Sequence, residues 1–351
     1  MQVPPLPEGQ HLELPGRGTT FYRDVPGPPG APTVLLLHGW TATADLNWFT
    51  CYEPLGEHFR VIALDHRGHG RGIRSRRAFR LADCADDAVA LCDALGVERF
   101  LVVGYSMGGT VAQLVWRRHR QRVDGMVLSS TASHFASKRD ERLSFVALGG
   151  LGAIARATPA KARNWLTEYF YLSRKRDQWE PWAVQEATLH DWRMVLEAGG
   201  AIGRFSSERW IAEVDVPTSV ILTLRDHIVP IARQALLFES IPGAEAYRID
   251  GDHDACVSEA DQYVPTLIRA LHSVNGRQTA ARAAVADLTD LSDLADLTGS
   301  GQNVAQVEAD VERGSRVGEG ADGDEVDSGL ADGPGRLERE PAARFEHDAT
   351  T

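Results

Sequence analysis

Short apolar runs alternate along the chain with stretches of helical pattern, and this alternation limits the fold more than any other feature. Each run is a few residues long and is bounded by glycine or polar residues, which is typical of strands buried on both faces of a parallel sheet. Helical patterns fill the intervals, as at residues 81–95 and 110–120. The alternation predicts a three-layer α/β fold. The predicted strands are residues 34–37, 60–65, 100–104, 126–130, 218–224 and 244–249.

The alternation stops between about residues 133 and 213, where no β-branched run occurs. We predict a mostly helical insertion that lies over the edge of the sheet. A pocket between an insertion and a sheet is a usual ligand site, so its tryptophans either line a substrate chamber or pack the insertion onto the body. We expect packing for most of them, because buried aromatic residues are common in cores. Five of the chain's eight tryptophans lie here: Trp165, Trp179, Trp182, Trp192 and Trp210.

The acidity of the chain belongs to its C-terminal part. Residues 276–351 contain 17 Asp and Glu, 7 Arg and no Lys, and so carry −10 of the formal net charge of −12. They are too polar to bury a core, which predicts a globular domain at residues 1–275 and a disordered acidic tail at 276–351. Within the tail, DLTDLSDLADL at residues 287–297 repeats every three residues. That period drifts around an α-helix, so we expect a solvated linker unless a partner orders it.

The remaining composition argues against several classes of protein. Residues 1–275 are nearly neutral and lack a basic stripe with interleaved aromatic residues, so no nucleic-acid partner is expected. No apolar run is long enough to span a membrane, and the N-terminal MQVPPLPEGQ lacks a signal-peptide pattern, so we expect a cytoplasmic protein. No cofactor or metal is predicted, and the oligomeric state is open. Neither a zinc site nor disulfides are indicated, because no paired spacing occurs among Cys51, Cys84, Cys92 and Cys256.

A serine enclosed by glycines follows one predicted strand, in LVVGYSMGG at residues 101–109. Gly104, Ser106 and Gly108 match G-x-S-x-G, which places the serine in a tight turn between a strand and a helix. Such a turn strains the serine backbone and exposes its Oγ, while the glycines let helix and strand approach. The pattern alone is weak evidence, because glycine and serine are common. It predicts a nucleophile only if a base and an acid accompany Ser106.

Two residues supply that base and acid. Asp226 follows the strand at residues 218–224, and His253 follows the strand at residues 244–249. Active sites of open α/β sheets form at the carboxyl ends of the strands, so we expect both side chains to meet Ser106 there. His253 would take the serine proton, and Asp226 would orient the imidazole.

The oxyanion of an acyl-transfer reaction needs two hydrogen-bond donors. The backbone N–H of Met107 lies at the start of the helix that follows Ser106, where the helix dipole is positive. LLLHGW ends the first long apolar strand, so we predict the backbone N–H of Trp40 as the second donor. His38 is expected to shape this turn, with no role in proton transfer.

Other polar residues near these motifs have simpler explanations. His66 and His69 stand in a glycine-rich loop without a third ligand nearby, so a structural or solvent-facing role is favoured over a metal site. Cys256 is expected to be the first apolar residue of a helix rather than a nucleophile, since no separate base accompanies it. Three alternative orienters of His253 are disfavoured, because a near neighbour in sequence rarely reaches the far imidazole nitrogen: Asp250, Asp252 and Asp254.

Taken in order, these motifs resemble the α/β-hydrolase fold superfamily, in its cap-bearing serine-hydrolase branch, over about residues 12–273. The resemblance implies an eight-stranded, mostly parallel sheet with a helical cap after the sixth strand. It also implies Ser106 as nucleophile, Asp226 as acid and His253 as base. The sequence departs from the family at Gly72, where a serine is usual. The motifs are HGW at residues 38–40, DHRGHG at 65–70, GYSMGG at 104–109, RDHIVP at 225–230 and GDH at 251–253.

The residue type of the nucleophile narrows the function that the resemblance implies. Family relatives that open epoxides or displace halide use an aspartate, so Ser106 argues against both reactions. We predict a carboxylic-ester hydrolase that acts on a small, apolar acyl substrate through an acyl-serine. Lactones, thioesters, carbon–carbon cleavage of a diketone and cofactor-free haloperoxidase chemistry stay open as alternatives. A ligand receptor or scaffold on the same fold is the non-enzymatic alternative, disfavoured because a binding module gains little from a strained serine.

Overall fold

A computed structural model of the protein describes residues 3–136, 143, 145–147, 150–151 and 181–297, with the backbone alone for residues 285–297. One eight-stranded sheet with the order β1-β2-β4-β3-β5-β6-β7-β8 forms its centre. Strands β1, β2 and β4 pair antiparallel, and all other pairs are parallel. The predicted three-layer, mostly parallel fold is confirmed. The strands are β1 Gly9–Leu14, β2 Gly18–Val25, β3 Thr33–Leu37, β4 Arg60–Leu64, β5 Phe100–Tyr105, β6 Val123–Ser129, β7 Thr218–Thr223 and β8 Glu245–Ile249.

Helices cover both faces of the sheet, which explains why its central strands read as continuous apolar runs. All residues of β5 and β7 are buried. Along β3, Leu35 and Leu37 face one core, and Val34 and Leu36 face the other, as the two-residue period of a strand requires. The described helices are α1 Ala44–Trp48, α2 Tyr52–Gly56, α3 Leu81–Ala94, α4 Met107–Arg118, α5 Pro181–Thr188, α6 Trp192–Arg204, α7 Ile231–Ser240, α8 Ala255–Ser258 and α9 Ala260–Leu297.

The predicted insertion lies between β6 and β7, and its described part is mostly helical, as expected. Helix α6 buries Met194 against the loop after β4, where a Cβ on Gly68 would overlap the Met194 side chain. Trp182 packs edge-on against Phe49 of the body, with ring centroids 5.5 Å apart. That contact supports the packing interpretation for this tryptophan. Trp165 and Trp179 lie outside the described residues.

The start of the predicted tail differs from expectation, because residues 276–297 are helical rather than disordered. Arg277 anchors this part of α9 through an ion pair with Glu245 (Nε–Oε1 3.5 Å), and Arg282 contacts Asp124. The stretch is also rich in alanine and leucine, which favour helix. Residues 298–351 lie outside the described part, and none of the described helices is long and apolar enough to cross a membrane.

Candidate active site

Ser106 occupies the turn between β5 and α4 in a conformation that non-glycine residues rarely adopt, with φ 53° and ψ −115°. Holding such a residue costs about 1–3 kcal/mol, so the surrounding structure must fix it. The Ser106 N–H donates to the Ser129 carbonyl at 2.9 Å, and the hydroxyl of Thr131 donates to the Ser106 carbonyl at 2.8 Å. A Cβ on Gly104 would overlap the Gly108 carbonyl oxygen. The turn therefore needs the glycine that the motif supplies.

The structure brings Ser106, Asp226 and His253 together at the carboxyl edge of the sheet. Ser106 Oγ lies 3.0 Å from His253 Nε2, and His253 Nδ1 lies 2.8 Å from Asp226 Oδ2. Asp226 is buried in the loop after β7, and His253 lies in the loop after β8. A hydroxyl, an imidazole and a carboxylate in this order form the arrangement in which the imidazole can remove the hydroxyl proton.

Backbone N–H groups of the loop that carries Asp226 fix the orientation of its carboxylate. Oδ1 accepts the backbone N–H groups of Ile228 at 2.9 Å and of Val229 at 2.7 Å. Oδ2 therefore faces His253. It also contacts the hydroxyl of Thr223 and the side-chain amide nitrogen of Gln234. Sequence reasoning missed these two contacts, because neither residue belongs to a motif.

The three aspartates beside His253 take other roles. Asp252 Oδ1 accepts the backbone N–H of His253 at 2.7 Å and that of His227 at 3.0 Å, so it ties the two loops together. Asp250 pairs with Arg225 at 3.0 Å, and Asp254 accepts the Ser258 hydroxyl on α8. The carboxylate that contacts the His253 ring is that of Asp226.

The predicted oxyanion donors flank the serine. Met107 begins α4, and a first-turn N–H has no acceptor within its own helix. A Cβ placed on Gly39 would lie 3.5 Å from Ser106 Cβ, so the loop of Trp40 runs beside the nucleophile. His38 Nδ1 lies 2.7 Å from the Gly39 carbonyl oxygen. In a planar trans peptide the C=O and N–H groups point in opposite directions. The bond to His38 therefore fixes the Gly39–Trp40 peptide with the Trp40 N–H directed away from the His38 ring.

The sequence of this chain matches the family model of the α/β hydrolase fold over residues 32–260. The chain belongs to the α/β-hydrolase fold family. The expected fold class and the expectation of a hydrolase hold at the level of this family.

Relatives of this α/β hydrolase have several names. RutD of Agrobacterium fabrum, which is assigned as a carbamate hydrolase, is 28% identical to this chain over 249 residues. The match covers 69% of this chain and 93% of RutD. Est816, described as an N-acyl homoserine lactone degrading enzyme, is 26% identical with a TM-score of 0.58, over 74% of this chain and 99% of Est816. The enol-lactonase of Burkholderia xenovorans shares the fold at 21% identity and a TM-score of 0.62, over 75% of this chain and all of the lactonase chain (100%).

Two histidines, each with a tautomer fixed by its hydrogen bonds, hold the loop after β3 that carries Trp40, here named the predicted oxyanion loop (residues 38–43). The backbone N–H of His66 donates to His38 Nε2 at 2.9 Å, so the ring proton of His38 sits on Nδ1. The Gly70 N–H donates to His190 Nδ1 at 2.8 Å, which leaves Nε2–H to donate to the Thr41 carbonyl at 3.2 Å. Both rings are therefore neutral when these bonds form.

Four buried imidazoles cluster beside this loop. Ring centroids are 4.4 Å apart for His38 and His66, 5.4 Å for His38 and His69, and 5.5 Å for His69 and His190. Burial lowers the pKa of His66 to about 3 and that of His190 to about 4, and it lowers the pKa values of His38 and His69 well below their usual range. Among the described residues, no group of three or more His, Cys, Asp or Glu side chains has a geometry suited to a metal ion. His66 and His69 are both buried, which fits the structural alternative predicted for them and not the solvent-facing one.

Cys256 is buried as the second residue of α8 and accepts a hydrogen bond from the Asn47 side chain at 3.3 Å. Burial raises the pKa of its thiol to about 12, so the thiolate that a nucleophile needs is disfavoured. The prediction that Cys256 is not a nucleophile is consistent with this environment.

The insertion contacts the body of the protein through charged and aromatic side chains that sequence reasoning missed. Arg71, in the loop after β4, lies 2.8 Å from Glu186 of α5 and 2.9 Å from Asp45 of α1. The indole N–H of Trp40 donates to the Val195 carbonyl of α6. These pairs are far apart in sequence, so no local pattern could indicate them.

Gly72, where the family pattern has serine, is explained by its surroundings. A Cβ at this position would overlap the backbone carbonyl oxygen of His66 and would lie 2.5 Å from that of Asp65. The loop after β4 folds back on itself here, so this chain requires the glycine.

Proposed function

We propose that this α/β hydrolase is a serine hydrolase that cleaves a small-molecule carboxylic ester through an acyl-serine intermediate. The observation that carries the proposal is the position of His253, with Nε2 3.0 Å from Ser106 Oγ and Nδ1 2.8 Å from Asp226 Oδ2. The strained Ser106 backbone supports a catalytic role over a receptor role. A binding site would gain nothing from a conformation that costs about 1–3 kcal/mol.

In the acylation step, His253 Nε2 takes the proton of Ser106 as Oγ attacks the carbonyl carbon of the ester. The backbone N–H groups of Met107 and Trp40 hold the negative charge that develops on the carbonyl oxygen. The proton on His253 then passes to the alcohol oxygen as the carbon–oxygen bond breaks. Asp226 stabilises the imidazolium and keeps Nδ1 protonated throughout.

In the deacylation step, His253 removes a proton from water, and the hydroxide attacks the acyl carbon of the ester on Ser106. The same two N–H groups hold the second oxyanion. Return of the proton from His253 to Ser106 Oγ releases the carboxylic acid. The cycle needs neither metal nor organic cofactor.

A lactone is a cyclic ester and follows the same steps, which agrees with the lactone named in the description of Est816. A carbamate is the second candidate substrate, favoured by the name of RutD, which aligns over 93% of its length. Its carbonyl is less electrophilic than that of an ester, because the nitrogen donates electron density to it. Attack by Ser106 would then give a carbamoyl-serine that hydrolyses more slowly than an acyl-serine.

Labelling with a fluorophosphonate probe tests the proposal together with turnover of p-nitrophenyl acetate, butyrate and octanoate, and of a small alkyl carbamate. We expect the wild type to be labelled and Ser106→Ala to lose both labelling and turnover. Ser240→Ala, which removes a hydroxyl on α7 that donates to the Leu236 carbonyl, is the control that keeps both. A folded wild type that neither takes the label nor cleaves any of these substrates would contradict the proposal. Preference for the carbamate over the esters would favour the second candidate.

A further inference from the structure

We propose that Gln234, acting with Thr223, is a positioning residue that holds the Asp226 carboxylate in line with His253 and offsets, through hydrogen bonds, part of the negative charge that this carboxylate presents to the imidazole. The inference rests on the proposed function and deepens it. It assigns a role to two side chains outside every motif of the sequence.

Both side chains are fully buried beneath Asp226. Thr223 is the last residue of β7, and Gln234 lies in the first half of α7. Gln234 Nε2 lies 3.2 Å from Asp226 Oδ2, and Thr223 Oγ1 lies 2.9 Å from the same oxygen. The end of a strand and the start of a helix thus converge on one oxygen of the predicted catalytic acid.

The partners of Gln234 fix which way its amide faces. Oε1 accepts the backbone N–H of Thr223 at 3.0 Å, and Nε2 lies 2.7 Å from the Val229 carbonyl oxygen. An N–H can only donate and a carbonyl can only accept, so a flipped amide would lose both bonds. The nitrogen, which donates, is therefore the atom that faces Asp226.

The hydroxyl of Thr223 is oriented by the same logic. Its oxygen lies 2.9 Å from Gln234 Nε2, an atom that can only donate, so it accepts there. Its single hydrogen can be donated to Asp226 Oδ2 at 2.9 Å, which is nearer than Ser130 Oγ at 3.2 Å. The two side chains form a short chain of hydrogen bonds that ends on the carboxylate.

Packing alone does not explain a glutamine at this position. A buried amide loses its hydration, and that loss is offset only when its hydrogen bonds are made inside the protein. A methionine would fill a similar volume without that requirement. The two hydrogens of Gln234 Nε2 face three acceptors, the Val229 carbonyl at 2.7 Å, Thr223 Oγ1 at 2.9 Å and Asp226 Oδ2 at 3.2 Å, so Asp226 shares one of these hydrogens. Because all three acceptors belong to Asp226, its loop or the strand end before it, we assign the role of Gln234 to the site.

Two neutral donors on Asp226 Oδ2 affect His253 in two ways. They stop the carboxylate from rotating, and their positive ends weaken the pull of the carboxylate on the proton of His253. The groups that contact His253 from the surrounding elements are Asp226, Ser106, the Tyr105 hydroxyl on its carbonyl at 2.7 Å, and Asp252 on its N–H. Of these, Asp226 is the carboxylate that Gln234 contacts.

Gln234→Met removes the donor and keeps the shape. We expect kcat to fall about 10- to 100-fold, with KM changed less than about threefold, because the triad loses alignment while the substrate contacts remain. The acidic limb of the pH profile of kcat/KM, which reports the imidazole of the free enzyme, should move to higher pH by about 0.5–1 unit.

Thr223→Val should shift the acidic limb in the same direction as Gln234→Met does, and Thr223→Ser, which keeps the hydroxyl, should restore the wild-type profile. These shifts, with rescue by serine, are not expected of residues that only support the fold.

The matched control is Gln113→Met. Gln113 is also fully buried and makes hydrogen bonds to the Ala132 carbonyl at 3.2 Å and to the Ser207 hydroxyl at 2.6 Å, away from Asp226. We expect this variant to lose stability in urea unfolding while it keeps the wild-type pH profile.

The experiment measures kcat and KM for p-nitrophenyl butyrate from pH 5 to 9 in the full-length variants. Wild-type kcat and an unmoved acidic limb in Gln234→Met would overturn the inference, as would the same shift in Gln113→Met. If Gln234→Met fails to fold, the comparison of Thr223→Val with Thr223→Ser decides in its place, and equal profiles for that pair would overturn it. Turnover that survives in Ser106→Ala would instead overturn the proposed function.

Discussion

The indole nitrogen of Trp40 lies 2.8 Å from the carbonyl oxygen of Val195, so a residue of the predicted oxyanion loop is bonded to helix α6 of the insertion. The Thr41 carbonyl is held from the same side by His190. Thr41 has φ 60°, an unfavourable value for a β-branched residue, so the loop depends on outside contacts to keep its shape. The insertion therefore supports the site as well as covering the sheet.

Trp40→Phe should slow catalysis and destabilise the fold slightly. The variant keeps an aromatic ring and loses the bond to Val195, which lets the oxyanion loop relax. We expect kcat to fall about tenfold and the free energy of unfolding to fall by about 0.5–1.5 kcal/mol. Trp182→Phe, which alters a packing contact with Phe49, is the control that should keep kcat. Equal kcat values for the two variants would argue against a role of the Trp40 indole in the site.

His38→Leu should reduce kcat much more strongly. Without the Nδ1–H bond to the Gly39 carbonyl, the Gly39–Trp40 peptide can rotate and withdraw one oxyanion donor. Loss of one donor costs about 10²- to 10³-fold in kcat. His38→Asn retains a donor near the Nδ1 position and should recover part of the loss. If both variants turn over p-nitrophenyl butyrate like wild type, the His38 bond does not control this peptide.

The fold was predictable because its evidence is local. Each central strand is an apolar run between polar residues, and β5 and β7 are buried throughout, as their sequences indicate. The extent of α9 could not be predicted in this way. The acidic composition suggested disorder there, whereas alanine residues and the ion pairs of Arg277 and Arg282 favour a helix.

In the candidate site too, some residues could be predicted from local motifs and others could not. Ser106, Asp226 and His253 each follow a strand within a recognisable motif, so the sequence alone could place them at one edge. Gln234 and Thr223 could not be found, since their contacts depend on how α7 packs against the end of β7. A glutamine eight residues after the predicted acid carries no local signal of its orientation.

Acid should destabilise the protein through its buried histidines. The pKa of His190 is about 4 in the folded state and about 6.5 when unfolded, so between these values the unfolded state binds more protons and stability falls as the pH falls. From pH 7 to pH 5 this costs about 2 kcal/mol for His190. Burial raises the pKa values of Asp65 and Glu186, which acts in the opposite sense, so a variant must isolate the imidazole.

His190→Gln provides that comparison. We expect its free energy of unfolding in urea to fall less between pH 7 and pH 5 than that of wild type, by about 2 kcal/mol. Both proteins should lose the same share of the free energy of unfolding through His66, whose pKa in the folded state is about 3. Parallel pH dependences for the two proteins would mean that His190 is not held neutral in the fold.

Gly72→Ser should destabilise the protein even though serine is usual at this position in the family. The added Cβ would overlap the His66 carbonyl oxygen, which belongs to backbone and cannot rotate away. Because the same loop carries His66 and His69, relief of the overlap must move residues that contact His38. We expect a loss of about 1–3 kcal/mol in urea unfolding, with a smaller fall in kcat. Gly96→Asn, at an open position with φ 67°, is the control that tolerates a side chain, because asparagine accepts a left-handed backbone. A Gly72→Ser variant as stable as wild type would show that the loop after β4 can accept the family's serine without strain.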